Sequence, residues 1–215
     1  ERKYELTRKI LSICLKYKHP VSIITKNALI LRDLDILKEL AKHNLVHIAI
    51  SITGLDEDIR WKMEPRSSTY SRRFETIKKL SEQNIPVSVM MAPIIPGINN
   101  YEIPAVIELA AKAGAIDACY SLVRLNGAVG PIFKDWLVQN FPDRANKVWN
   151  LICNTHGGTV SNNKFGVRMR GQGNVAENIN QLFTLSKTRF MKRVKPFEFN
   201  LTLFNYKPGD SQLRL

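Results

Sequence analysis

Polar residues stand at or just after the ends of four short β-branched segments, and they are the residues best suited to chemistry. Lys26 follows the first segment, Ser51 and Thr53 the second, a turn with Gly97 the third, and Arg124 the fourth. Because the carboxyl ends of parallel strands meet at one edge of an α/β sheet, we expect these residues to share one mouth. A lysine, hydroxyl groups, a glycine turn and an arginine suit a ligand with a carboxylate and hydroxyls. From spacing alone, turn and capping roles fit the same residues equally well.

A long connection follows the second segment. Residues 60–69 exceed the usual length of a β-α loop, and loops of this length are often functional. Glu64 and Arg66 in this loop either clamp an amine and a carboxylate or pair with each other on the surface. The sequence contains no Ser-His-Asp arrangement, no metal-spaced histidine pair and no phosphate-loop signature, so we assign no catalytic residue and no metal ligand.

The four segments alternate with amphipathic patterns, which predicts repeated β-α units. Apolar residues at positions 6, 10, 13, 14 and 17 form the inward stripe of a helix over 3–18. The predicted strands are 21–25, 46–52, 86–92 and 116–124, and the helices between them cover 33–44, 71–83 and 100–114, with Asp33 and Asn100 as caps. Repetition at roughly 35-residue intervals indicates a parallel sheet with helices outside it.

The last third of the chain has a different pattern. A helix over 133–153 is interrupted at Pro142, residues 154–173 form a polar loop, and Asn174 with Glu177 makes a capping box that opens a further helix. A strand is predicted over 197–204. We therefore divide the chain into a partial β/α barrel, residues 1–130, and a C-terminal helical and loop extension, residues 131–215, packed on the barrel.

The number of predicted strands is too small for a closed barrel, and the chain opens on a helix with no strand before it. Either the sheet is open and doubly wound, or the first strands of a barrel are missing. We favour missing strands. On that interpretation we expect an exposed apolar sheet edge where the earlier strands would pair.

Charge and cysteine usage bear on partners and location. The chain has 32 Lys and Arg against 19 Asp and Glu, a formal net charge of +13. That balance indicates either an anionic partner such as nucleic acid or an ordinary basic surface.

Cys14, Cys119 and Cys153 match no zinc or cluster motif, and their odd number argues against a disulfide framework. No apolar run is long enough to span a membrane and no secretory leader is visible, so we expect a cytoplasmic protein.

Five segments, in order along the chain, resemble one group of the radical S-adenosylmethionine (radical SAM) superfamily. It is the group related to spore photoproduct lyase, often described as "DNA repair photolyase". The segments are Thr25–Asp33, Ser51–Asp56, Met63–Arg66, Ala92–Asn100 and Phe165–Gly173. The resemblance is specific for the family and much less specific for a substrate.

This resemblance implies a partial TIM-like β/α barrel that binds S-adenosylmethionine and a 4Fe-4S cluster. A lyase of this kind takes an electron from a donor such as a flavodoxin or ferredoxin and forms a 5′-deoxyadenosyl radical in a site that excludes water. The implied cofactor-binding residues are Lys26 and Arg66 for the carboxylate or ribose, Ser51 and Thr53 for the methionyl or ribose part, the backbone of Ile95 and Gly97 along the adenosine, and Arg124 near the adenine or the substrate. Arg168 and Arg170 would meet an anionic substrate.

One departure from the family pattern is large, because the chain contains no C-x3-C-x2-C cluster motif. We attribute this to truncation and expect the chain to be the C-terminal part of a radical SAM enzyme, inactive by itself and of unknown substrate. The alternative is a non-catalytic nucleic-acid-binding module on a degenerate barrel. A third interpretation is a barrel enzyme that binds a phosphorylated small molecule at the Gly97 turn.

Overall fold

A parallel sheet forms the centre of the molecule. The computed structural model describes residues 1–191 and 196–204. Four strands, β1 (Val21–Thr25), β2 (Val46–Ser51), β3 (Val87–Ile94) and β4 (Asp117–Leu122), lie side by side in chain order, and all neighbours are parallel. The predicted α/β class and parallel sheet are confirmed, as an open sheet that resembles part of a barrel.

Eight helices accompany the sheet in the described part of the chain. They are α1 (Leu6–Lys16), α2 (Leu34–Lys42), α3 (Glu57–Met63), α4 (Tyr70–Glu82), α5 (Ile103–Lys112), α6 (Val129–Asn140), α7 (Ala145–Thr155) and α8 (Gly173–Phe190), with short 3-10 turns at Ala28–Asp33, Asn100–Glu102 and Pro142–Arg144. The helix α3 lies inside the long connection after β2. It begins where the Asp56 carboxylate accepts the backbone N–H groups of Asp58 and Ile59.

The main core lies between one face of the sheet and the helices α2, α4, α5 and α8. Alternate strand residues such as Ile48, Ile50 and Val89 are completely buried there, together with Leu37 and Ile77 from the helices. Because successive strand side chains point to opposite faces, Ile24 of the edge strand β1 lies on the other face, where it is 61% exposed. The expected apolar edge, where earlier strands would pair, stays a prediction.

A second core joins the extension to the carboxyl ends of β3 and β4. Its buried members are Ile59, Ile95, Ile98, Val123, Leu125, Leu137, Ala145, Val148 and Ile152. The helices α6 and α7 therefore cover that end of the sheet, and α3 contributes to the same contact. The division of the chain at residue 130 stays a prediction.

Three predicted helix caps lack the capping hydrogen bond, although Asp33 does occupy the N-cap position of α2, because each side chain has a different partner or none at the helix start. The Asp33 carboxylate accepts hydrogen bonds from Arg8 and Arg32, and the Asn100 side chain accepts the N–H of Gly97. No side chain caps α8, which begins at Gly173, so Asn174 and Glu177 form no capping box. Competing polar partners nearby in space decide such positions, and a local pattern does not contain them.

The predicted inward stripe of α1 is also wrong. Leu6, Ile10 and Ile13 are each more than half exposed, and the buried residue of this helix is Leu11. The helix packs beside α2, with Arg8 bonded to Asp33 and Asp35 at 3.2 and 2.8 Å. The spacing of apolar residues identifies the apolar face of a helix, but it does not identify the face that packs against another element.

The segment 197–204, predicted as a strand, is irregular. It crosses the amino ends of the strands: the N–H of Asn200 donates to the carbonyl of Asn44 at 3.0 Å, and the Phe197 ring stacks on His47. Bonding to the turns below the sheet replaces the ladder that a strand would need.

Two leucines of α1, Leu6 and Leu11, give a matched test of this packing. We expect Leu11→Ala to lower the free energy of unfolding by about 2–4 kcal/mol, because it leaves a cavity, and Leu6→Ala to change it by less than about 1 kcal/mol. Urea unfolding of the chain followed by circular dichroism measures both values. Equal losses from the two variants would show that α1 buries the other face.

Candidate functional site

A completely buried arginine holds the carboxyl end of β2. Arg73 of α4 has no solvent exposure, and its guanidinium donates to the carbonyls of Ser51 at 2.9 Å and Ser68 at 2.8 Å. It also pairs with Glu64 Oε1 at 2.7 Å and bonds the Ser67 hydroxyl. A buried guanidinium is tolerated only when its charge and its donors are satisfied, so the loop after α3 must close over Arg73.

Glu64 connects the buried Arg73 to the end of β1 through a second ion pair. Its second oxygen, Oε2, lies 2.6 Å from the Lys26 ammonium, in an ion pair that lacks the alignment of a hydrogen bond. Lys26 keeps 41% of its side chain exposed. Contacts through Glu64 and Arg73 therefore connect Lys26 at the end of β1 with the Ser51 carbonyl at the end of β2. A mouth shared by all the predicted residues stays a prediction.

Arg66 is not the partner of Glu64 that its spacing in the sequence suggested. It is exposed, and no side chain in the described ranges pairs with it, so of the two roles weighed for Glu64 and Arg66 the mutual surface pair is wrong. Glu64 instead forms ion pairs with Arg73 and Lys26. Arg66 and Lys26 nevertheless line the same shallow depression at the mouth.

A buried asparagine makes the second connection between strand ends. Asn99, 2% exposed, accepts the N–H of Ile95 at 2.7 Å and donates to the carbonyls of Thr53 at 2.8 Å and Pro93 at 3.1 Å. The Thr53 hydroxyl bonds the Tyr70 hydroxyl at 2.8 Å. Asn99 thus ties the end of β2 to the turn after β3, and it places Thr53 beside Ile95.

The turn with Ile95 and Gly97 lies under α7. Gly97 has φ of 82°, a region that favours glycine, and a β-carbon there would come within 3.1 Å of Leu151. The N–H of Ile95 is used by Asn99 and that of Gly97 by the Asn100 side chain at 2.7 Å. Contact of this backbone with an adenosine stays a prediction, and the two N–H groups are already engaged within the turn.

Arg124 stands apart from both networks. It follows β4, and its guanidinium donates to the Asn163 side-chain oxygen at 3.2 Å and to the Met169 sulfur at 3.9 Å. Its Nε is buried without a hydrogen-bond partner. The cofactor role predicted for Arg124, like those of Lys26, Ser51, Thr53 and Arg66, stays a prediction.

Two residues that organise the site were missed by sequence reasoning. Arg73 shares the helical spacing of Ile77 and Leu80, which are buried. That spacing was a usable signal. Asn99 follows a Pro-Gly turn, where asparagine is so common that its contacts with Thr53 had no signal in the sequence.

A half-buried carboxylate next to the mouth is electrostatically perturbed. Glu102 accepts the N–H of Leu55 at 2.9 Å. Burial raises the pKa of Glu102, while the hydrogen bond from Leu55 opposes that shift. Burial also raises the pKa of Tyr70 to about 12, so its hydroxyl stays protonated and remains available to Thr53.

The metal-binding side chains in the described part of the chain do not fit an iron–sulfur cluster. Within residues 1–191 and 196–204, no three His, Cys, Asp or Glu side chains are grouped so as to hold a metal ion. Cys14, Cys119 and Cys153 are separate, partly buried free thiols. Strand-end residues such as Lys26 fit a carboxylate ligand better, because the ammonium is half exposed beside an open depression.

Parallel β-α units with polar groups gathered at the strand ends define the class of β/α-barrel proteins. A sequence model of the Radical SAM superfamily matches residues 2–110, about half of the chain. The chain belongs to the radical SAM superfamily.

Individual proteins give a consistent result. An uncharacterised protein of Methanocaldococcus jannaschii is 29% identical over 143 residues, 66% of this chain and 52% of that protein. The sporulation killing factor maturation protein SkfB of Bacillus subtilis is 39% identical over 93 residues, 43% of this chain and 22% of that protein. A mutant of spore photoproduct lyase has a similar structure, with a TM-score of 0.56 and 13% identity over 86% of this chain and 52% of that chain, which shows the fold alone. The chain spans about half the length of the archaeal relative and of the lyase.

Adjacent arginines on α4 test the buried network. We expect Arg73→Met to lower the free energy of unfolding by about 3 kcal/mol or more, because Glu64 keeps a poorly hydrated charge and the Ser51 carbonyl loses its donor. Arg72→Met is the matched control, since Arg72 is exposed, and it should change stability by less than about 0.5 kcal/mol. Urea unfolding measures both. Similar effects of the two substitutions would contradict the buried position of Arg73.

Glu102 gives a pH dependence of known sign. Because its pKa is raised in the folded state, the native protein holds that proton more tightly than the unfolded chain. The resulting stabilisation is present below the unfolded pKa and is lost as the pH rises through the raised folded pKa. We expect Glu102→Gln to remove this loss, because the amide oxygen still accepts from Leu55. Urea unfolding over a pH series measures it, and an unchanged profile in the variant would be the contrary result.

Proposed function

We propose that this chain is the C-terminal part of a radical SAM enzyme. In the intact protein, S-adenosylmethionine would be cleaved reductively at an iron–sulfur cluster to give a 5′-deoxyadenosyl radical. Membership of the superfamily supports this proposal. The observation that supports it at the level of residues is the chain of contacts from Lys26 through Glu64 and Arg73 to the Ser51 carbonyl at the strand ends.

The chain's own contribution is to bind and orient the cofactor. The half-exposed Lys26 ammonium and the unpaired Arg66 border one depression, so they offer two positive groups to the methionine carboxylate. Glu64 fixes Lys26 from the protein side, which lowers the entropy that the lysine would lose on binding. Ser51 and Thr53 are buried and already bonded within the protein, so we assign them to holding the shape of the pocket as well as to the methionyl or ribose part.

The cluster itself must come from elsewhere in this proposal. No cysteine group of this chain suits it, so we assign the ligands to a part of the protein outside residues 1–215. An external reductant such as a flavodoxin or ferredoxin would supply the electron. Three free thiols are compatible with a reducing, cytoplasmic location, and among the described residues no helix has the length and apolar character to cross a membrane.

We further propose an anionic substrate, with nucleic acid as the leading example. The supporting observation is the formal net charge of +13, which attracts polyanions over distances comparable to the Debye length. Several of the basic residues are balanced by ion pairs, so the remaining, unpaired ones determine where such a substrate would lie.

The decisive experiment uses the full-length gene product, reconstituted anaerobically with iron and sulfide. We expect 5′-deoxyadenosine on reduction in the presence of S-adenosylmethionine. Lys26→Ala should weaken the apparent affinity for S-adenosylmethionine by about 10–100-fold, the loss of one charged hydrogen bond. Lys38→Ala is the control, because Lys38 is exposed on α2, and it should leave the affinity unchanged.

Two results would overturn this proposal. One is a full-length sequence without a C-x3-C-x2-C motif, and the other is a reconstituted protein that forms no 5′-deoxyadenosine. If the same protein bound DNA with a salt-dependent affinity but formed no 5′-deoxyadenosine, the non-catalytic binding module would be favoured instead.

A further inference from the structure

The loop between α7 and α8, residues 157–172, is fastened to the end of β4. The N–H of Leu122 donates to the carbonyl of Met169 at 2.9 Å, and the N–H of Leu125 donates to that of Val160 at 3.1 Å. Gly171 has φ of 75°, and a β-carbon there would lie 2.6 Å from Leu122 and 2.8 Å from the Thr155 carbonyl. This β4 loop is therefore held close to the strand by backbone bonds and by a position that requires glycine.

The charges around the β4 loop are not balanced. From position 144 to position 176 the sequence contains no Asp or Glu, but it contains five Lys and Arg. No described acidic side chain pairs with Lys164, Arg168, Arg170 or the neighbouring Arg124. By contrast, Arg8, Lys26, Arg32, Arg60 and Arg73 all pair with carboxylates. The positive charge around the β4 loop therefore has no acidic partner among the described residues.

Arg124 differs from the other three, because a donor of its side chain is buried without an acceptor. It is only partly exposed, its two side-chain partners are the neutral Asn163 and Met169, and its Nε–H is buried without an acceptor. A thioether is a weak acceptor, so the Met169 contact at 3.9 Å returns little of the hydration that the guanidinium has lost. Unpaired groups of this kind are unusual in native proteins and commonly mark a position where an ion or ligand completes the site.

We propose that Arg124 and the β4 loop form an oxyanion subsite, which takes a phosphate or carboxylate group of the substrate. The oxyanion would replace the Met169 sulfur on the guanidinium and supply the counter-charge that no carboxylate of the described chain provides. Arg168 and Arg170, on either side of Met169, add positive charge, while the Arg170 guanidinium rests on the Tyr120 ring at 4.3 Å. The subsite lies at the same edge of the sheet as Lys26 and Ser51, but on the last strand.

The assignment to the substrate rests on the proposed radical SAM function, whereas anion binding by this chain does not. Lys26 is already engaged by the Glu64 carboxylate at its end of the sheet. Arg124 has no such internal partner among the described residues. A small anion should consequently prefer Arg124 to Lys26 even when no cofactor is bound.

The test is a titration of the 215-residue chain with inorganic phosphate and, separately, with acetate, at constant ionic strength. Two-dimensional NMR of the arginine Nε–H groups should show a saturable shift of Arg124. We expect Arg124→Lys to weaken phosphate binding by about tenfold or more, since lysine loses the planar fork. Arg189→Lys, in the last turn of α8, is the matched control and should bind as the unaltered chain does. Saturation by phosphate alone indicates a phosphate ester, and equal saturation by acetate indicates a carboxylate.

Met169→Ala supplies an independent test, because it removes the side chain that competes for the guanidinium. It should bind phosphate several-fold more tightly than the unaltered chain. The subsite would be disproved if neither anion gave a saturable shift, or if Arg124→Lys and Arg189→Lys responded alike. If only Met169→Ala failed to tighten binding, displacement of its sulfur would be wrong. Formation of 5′-deoxyadenosine is not measured here, so these outcomes are independent of the radical chemistry.

Discussion

The arrangement of the strand ends depends on the burial of one charge. Arg73 comes from the outside helix α4, but its guanidinium ends beneath the mouth, on the carbonyl of the last residue of β2. Water is excluded there, so the charge requires Glu64, and the carbonyls of the connecting loop take the remaining donors. The loop after α3 therefore has little freedom to move without exposing an unpaired ion. Lys26 receives its position as a consequence, through the other oxygen of Glu64.

The second connection between strand ends is made by a neutral side chain. Asn99 uses its amide oxygen on one turn and its amide nitrogen on two carbonyls, so it links β2 to β3 without a charge to compensate. Above it, α7 covers the Gly97 turn, and the second core seals the ends of β3 and β4. The extension therefore contributes directly to the shape of the mouth. A change in α7 would be transmitted to Thr53 through Asn99.

Periodicity predicted the fold well, because strands and helices that pack on both sides leave regular apolar patterns. It placed β1, β2, β3 and β4 within a few residues of their observed bounds. It failed for α1, where the apolar stripe and the buried side differ, and for Asp33 and Asn100, whose side chains found partners across space. The site shows the same division. The strand-end residues Lys26 and Ser51 follow from topology, whereas the pairing of Glu64 with Arg73 depends on how a helix and a loop meet.

The two ends of the mouth differ in how their positive charge is compensated. At β1 and β2 the protein supplies its own carboxylate, so the cations are fixed in place before any ligand arrives. At β4 the half-buried guanidinium of Arg124 faces neutral groups only, and its buried Nε–H has no acceptor. A preformed region, in which a carboxylate already holds the cations in place, suits a cofactor that is bound in every cycle. A region with uncompensated positive charge gains most from a ligand that brings its own negative charge. Without that ligand the region is less stable, and binding of the ligand to the native state would raise its stability.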